Sequence, residues 1–83
     1  MKFNNFIKSL RKQKGLTQQQ LASALGYTSP QFVSNWERGV AFPPANIIGD
    51  LSGLLGVPQE ELTRAIKAAK IQKAIEGVER SFR

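Results

Sequence analysis

The chain has 83 residues, with twelve Lys plus Arg, six Asp plus Glu, and neither Cys nor His. That is room for one small domain, with no material for thiol or imidazole chemistry, a disulfide, or a zinc site with nitrogen or sulfur ligands. The net charge is +6: residues 1–40 carry six basic and one acidic side chain, residues 41–83 six and five, an imbalance that suits a polyanion, most often nucleic acid, and otherwise serves solubility. The fold must therefore rest on helix packing or self-association, and no enzyme, cofactor or metal is expected.

The opening Met1-Lys2-Phe3-Asn4-Asn5-Phe6-Ile7-Lys8 is broken by amides and charge before a secretory apolar run forms, and no membrane-length apolar window follows. A cytoplasmic, nucleoid-associated protein that touches no membrane is expected. Phe3, Phe6, Ile7 and Leu10 share one face of a first helix that ends near Lys14-Gly15, with Gly as its stop. Thr17 stands three residues before Gln20, the spacing of a capping box, and Leu16 with Leu21 fits a hydrophobic staple. A second helix therefore spans about 18–25 and stops at Gly26.

Ser29 is then read as an N-cap with Pro30 in the first helical position. Phe32, Val33 and Trp36 give the third helix an apolar face, and Gly39 ends it. After the turn Val40-Ala41-Phe42-Pro43-Pro44, the residues Ile47, Ile48, Leu51, Leu54 and Leu55 form the most apolar helix, closed by Gly56. Pro58 opens a fifth helix with Glu60 and Glu61 in its first turn, where negative charge suits the helix dipole; Leu62 and Ile66 continue the inner face. The expected fold is all-α: a domain over residues 1–66 and an amphipathic helical tail over 67–83 that continues helix 5.

A short helix, a tight turn and a second short helix in a basic all-α domain present one helix to the DNA major groove. Gly15-Leu16-Thr17-Gln18-Gln19-Gln20-Leu21-Ala22, then Gly26, then Val33-Ser34-Asn35-Trp36-Glu37-Arg38-Gly39, then Pro43 with Leu51-Ser52 and Leu55-Gly56-Val57, closely resembles the Cro and phage-repressor helix-turn-helix family, the XRE-like regulators. The resemblance covers about residues 5–66 and implies a five-helix bundle of the lambda-repressor type. It further implies that Arg11 and Glu37 form an ion pair joining helix 1 to helix 3, and that Gln18 meets a backbone phosphate, where exposed N–H groups and the helix dipole favour anions. Leu16, Leu21, Ala22, Leu25, Val33, Leu51, Leu55 and Val57 are read as core; Trp36 is read as buried, the alternative being a stack on a base.

Base reading is assigned to helix 3. Gln31 and Asn35 are four apart and so share a face, and each amide can pair bidentately with adenine. Ser34 lies beside that face, and Arg38 meets phosphate or guanine or is simply solvated. Thr17, Gln19, Thr28 and Ser29 are secondary DNA candidates, with Thr17 alternatively a cap. One residue more than in the commonest family pattern separates Gly26 from Ser34; it is placed in the turn, which keeps Ser29 as the cap, whereas in the helix it would rotate Gln31 by about 100° and take it off that face. The loop after Gly39 lacks the Lys or Arg often found there, and Phe42 packs on the core or joins a dimer contact.

Ala68, Ile71, Ile75, Val78 and Phe82 are spaced 3, 4, 3 and 4, the rhythm of a coiled-coil seam. They are the expected dimer or partner interface, against the alternative of a helix folded back or frayed. Arg64, Lys67, Lys70 and Lys73 recur every third residue, a stripe along phosphates or the solvated face of an amphipathic helix. The expectation is a DNA-binding repressor acting as a homodimer on duplex operators. The alternative is an antitoxin-like module whose tail binds another protein while the domain controls its own promoter. Neither a small-molecule ligand nor catalysis by Glu60 and Glu61 is expected; adjacent on one turn, these two diverge by about 100°.

Overall fold

The structure, a computed structural model, describes the backbone of residues 2–81 and side chains up to residue 77. Among the described residues the chain forms α1 (Phe3–Gln13), α2 (Gln18–Ala24), α3 (Gln31–Glu37), a 3₁₀ turn (Ala45–Ile47), α4 (Ile48–Leu55) and α5 (Gln59–Ser81), and no strand. Each of the first three helices ends in the same way. The N–H groups of Gly15 and Leu16 bond back to Lys12 and Arg11, those of Gly26 and Tyr27 to Ser23 and Ala22, and those of Gly39 and Val40 to Trp36 and Asn35. This pairing closes a helix through a left-handed residue, and Gly15 at φ 68° and Gly26 at φ 90° supply it on either side of α2.

The start of α2 is fixed by its capping box: the Thr17 hydroxyl accepts from the Gln20 N–H at 3.0 Å and the Gln20 side chain takes the Thr17 N–H at 2.8 Å. The start of α3 differs from expectation. Its first helical bond runs from the Ser34 N–H to the Pro30 carbonyl, so α3 begins at Gln31 and Pro30 is the flanking residue. Ser29 caps weakly, its hydroxyl accepting from the Gln31 N–H at 3.4 Å. The extra residue therefore lies in the turn.

The core is assembled from Phe3 and Ile7 of α1, Leu21 and Ala22 of α2, Val33 and Trp36 of α3, Ile47 and Ile48, Leu51 and Leu55 of α4, and Leu62 and Ile66 of α5. Trp36 is 1% exposed, which removes it as a base-stacking surface. Ile47 belongs to the 3₁₀ turn, not to α4. Leu16, Leu25 and Val57, expected as core, are half-buried against its edge. Phe32 is a correction too: it is 51% exposed, stacked on Tyr27 at 4.4 Å between ring centres, while the other contact of Tyr27 is an edge contact with Trp36. In a two-turn helix the border of the apolar face is set by whatever covers it, and here Tyr27 from the preceding turn holds Phe32 outside the core.

Leu51, at the centre of α4, is fully buried. Leu51→Ala is expected to lower the unfolding free energy by about 2–5 kcal/mol through lost transfer energy and the cavity left behind. Urea unfolding of the variant against the parent measures this.

Candidate nucleic-acid interface

One buried ion pair fixes how α1, α2 and α3 meet. Arg11 Nε donates to Glu37 Oε2 at 2.6 Å and Nη2 donates to Oε1 at 3.0 Å, with the side chains 9% and 3% exposed. The remaining nitrogen, Nη1, donates to the Leu16 carbonyl at 2.7 Å, in the turn between α1 and α2. From the start of α2, Gln18 Nε2 donates to Glu37 Oε1 at 3.1 Å. A forked guanidinium on a carboxylate fixes plane as well as distance, so the end of α3 is held to both preceding helices.

Burial pushes the Glu37 carboxyl up, but the hydrogen bonds from Arg11 and Gln18 and the charges of Arg11 and Lys8 outweigh it and hold the group below the ordinary carboxylate value. For Arg11 the hydrogen bond to Glu37 outweighs burial and raises the guanidinium further. None of the described buried side-chain nitrogen or oxygen atoms lacks a partner.

With its inner face and last residue anchored, α3 turns a polar row outward. Gln31, its first residue, is exposed, and Asn35 lies one turn on, half-buried. Gln31 Nε2 donates to Asn35 Oδ1 at 2.8 Å, and Arg38 Nη2 donates to the same oxygen at 2.6 Å. The row Gln31–Asn35–Arg38 is thus linked by one shared acceptor. That leaves Gln31 Oε1 as an acceptor and Asn35 Nδ2 as a donor outside the shared contact. Adenine presents the complementary donor and acceptor at N6 and N7 in the major groove. Ser34 is half-buried beside this row.

Thr17, Gln19, Thr28 and Ser29 are exposed. The Thr17 hydroxyl is engaged in the capping box, and Gln19 Nε2 donates to Ser23 Oγ at 2.9 Å. Gln18, the phosphate candidate, is half-buried, and one N–H of its side-chain amide is engaged by Glu37, which leaves the second N–H as a donor. Nothing in the spacing of the sequence signals that bond, which exists because α2 and α3 bring residues 19 apart together.

Phe42 follows the first of its two readings, packing on the core of its own chain. It is half-buried on its own chain, with its ring centre 5.8 Å from that of Phe3. In the tail, Ala68, Ile71 and Ile75 are exposed, the isoleucines by 61% and 46%. Val78 lies on the same helix, and Phe82 falls outside the described residues. No described helix is long and apolar enough to cross a membrane, and no three Asp or Glu among the described residues cluster as a metal site would need.

Because the Glu37 carboxyl is held below its ordinary value, the stability it contributes is present above about pH 4.3 and is lost as pH falls through the lowered value. Glu37→Gln is expected to flatten that acid limb. Glu37→Ala is expected to cost about 3 kcal/mol at neutral pH by leaving Arg11 buried and unpaired. Thermal unfolding across pH 2–7 checks both, and unchanged melting curves would contradict the structural role of the pair.

Residues 7–62 match the Helix-turn-helix family. Among individual relatives, the HTH-type transcriptional activator BcrR of Enterococcus faecalis is 39% identical over 62 residues, which is 75% of this chain and 30% of BcrR. The uncharacterized HTH-type transcriptional regulator YazB of Bacillus subtilis (strain 168) is 41% identical over 56 residues, covering 68% of this chain and 80% of YazB. The chain thus spans under a third of the first relative and most of the second. Among solved structures, the clp gene regulator ClgR of Corynebacterium glutamicum superposes with a TM-score of 0.65 at 26% identity, over 95% of this chain and 84% of that one. By sequence and by fold, the chain belongs to the helix-turn-helix family of DNA-binding transcriptional regulators.

Proposed function

We propose that the chain binds duplex DNA as a homodimer on two half-sites, reads each half-site with Gln31 and Asn35, and represses where its operator overlaps a promoter. The observation that carries this reading is the outward amide pair on α3, rigidly mounted through Arg11 and Glu37. An α-helix is about 10–12 Å across with its side chains, a fit to a major groove about 12 Å wide. Gln31 and Asn35 meet base edges, Ser34 and Arg38 the borders of the same contact, and Thr17, Gln19, Thr28 and Ser29 the flanking phosphates. Gln18 acts through Glu37 by setting the angle between α2 and α3.

A single helix reads too few bases for tight specific binding, and two-fold pairing on half-sites about one helical turn apart supplies the rest. The pairing surface is placed on the tail, where Ala68, Ile71 and Ile75 form an exposed apolar ridge continued in sequence by Val78 and Phe82. The domain boundary at residue 66 and the tail beyond it follow from this division of labour. The direction of control is a property of operator position, not of the domain; BcrR carries the name of an activator. The second reading, a tail that binds a different protein in the manner of an antitoxin, draws on the same exposed isoleucines.

Selection of bound duplexes from a random pool, followed by anisotropy titration, tests the reading. Gln31→Ala and Asn35→Ala are each expected to cost about 1–3 kcal/mol at one base position and to relax selectivity there; unaltered selectivity in both variants would sink the assignment. A chain truncated after Lys70 is expected to sediment as a monomer. An undiminished dimer would remove the tail from the pairing, and co-purification of a different protein from the native host would favour the second reading.

A further inference from the structure

A groove of about 630 Å³ lies between the start of α1, the end of α3 and the middle of α5, and Lys2, Arg38, Phe42 and Lys73 line it. Phe42 is its organising residue. The ammonium groups of Lys70 and Lys73 stand 5.6 Å and 5.7 Å from the centre of the Phe42 ring, within the range of cation–π attraction. Cations from three separate elements therefore converge at one place. Glu76 is the acidic residue lining the groove, where Gln72 Nε2 donates to it at 3.4 Å. Four positive groups against one negative group repel one another, and an anion relieves that repulsion.

The position of the groove identifies the anion. Arg38 belongs both to this cluster and to the outward row of α3, through its bond to Asn35. From Gln31 to Arg38 the row rises about 10 Å, close to the width of the major groove. With the amides at base edges, Arg38 stands at the strand that walls the groove, and Lys2, Lys70 and Lys73 stand beyond it. We propose that Lys70 and Lys73, seated on Phe42 and joined by Lys2, form a phosphate clamp that grips the DNA backbone flanking the half-site. The turn Val40-Ala41-Phe42 has no cation of its own; it recruits two from α5 through an aromatic ring. An acidic protein segment satisfies the same charge, but continuity with the row on α3 favours the nucleic-acid backbone.

This inference rests on the DNA-binding reading, and the test separates the two. The full chain is titrated with its selected duplex between 50 and 200 mM KCl, alongside Lys70→Gln/Lys73→Gln and a control, Arg64→Gln/Lys67→Gln, that removes equal charge from the same helix away from Phe42. Each lost phosphate contact lowers the slope of log affinity against log salt by about 0.9. The Lys70/Lys73 variant is expected to lose about 1.8 per chain bound, so that its deficit against the parent shrinks about tenfold per bound chain, about a hundredfold for a dimer, across that range, with base selectivity unchanged. The control is expected to keep a slope near that of the parent. A parent slope shared by the Lys70/Lys73 variant, or equal losses in both variants, would overturn the clamp while leaving the reading by α3 intact. An unaltered slope accompanied by weaker binding of a poly-glutamate peptide would give the groove to an acidic protein segment, and would overturn it likewise. A parent chain that prefers no duplex would instead sink the reading on which the clamp rests.

Discussion

The carboxylate of Glu37 is where three helices meet. Arg11 reaches it from α1 with two nitrogens, Gln18 reaches it from α2, and Glu37 itself terminates α3. The third nitrogen of Arg11 closes on the Leu16 carbonyl and so pins the α1–α2 turn. The core of an 83-residue chain is small, and apolar contacts, being non-directional, leave short helices free to slide and rotate by small amounts. A forked, buried, charge-assisted contact does not. Its value here is orientation more than net stability, since the desolvation of two charges offsets most of their attraction. Orientation is what a reading helix needs, because a rotation of one residue turns Gln31 and Asn35 off the exposed face.

The helical framework was legible in the chain because its punctuation has local causes. Gly15, Gly26 and Gly39 stop helices where the backbone must enter the left-handed region, and Thr17 with Gln20 marks the start of α2 through a bond spanning three residues. Where the cause is not local, the pattern misled. Phe32 has the spacing of a core residue, yet Tyr27, which contacts both Phe32 and buried Trp36, holds it outside the core. Ser29-Pro30 has the look of a cap and first turn, yet the hydrogen bonds begin one residue later. Leu16, Leu25 and Val57 are apolar and periodic but sit at the rim of a core too small to enclose them.

The site divides along the same line. That Gln31 and Asn35 share a face follows from their spacing, but the bond that links them, and the choice of which amide atoms it occupies, do not. The Gln18–Glu37 bond and the seating of Lys70 and Lys73 on Phe42 join residues far apart in sequence. Lys70 and Lys73 are visible in the sequence as members of a basic stripe, and a solvated helix face has the same pattern. Only the ring beneath them distinguishes two of the four.

Function follows from rigid presentation: a polar row on a helix narrow enough for the major groove, anchored on its inner side and flanked by cations. Base recognition by that row is tested most directly by a double-mutant cycle between protein and DNA. Replacing a read adenine by 7-deazaadenine removes the N7 acceptor alone. The account predicts that this substitution weakens binding of the parent chain about tenfold, the worth of one such hydrogen bond, and that Asn35→Ala suffers no further loss from it. Equal losses in the parent and in the Asn35→Ala chain, at every adenine of the half-site, would contradict the claim that this amide reads the base.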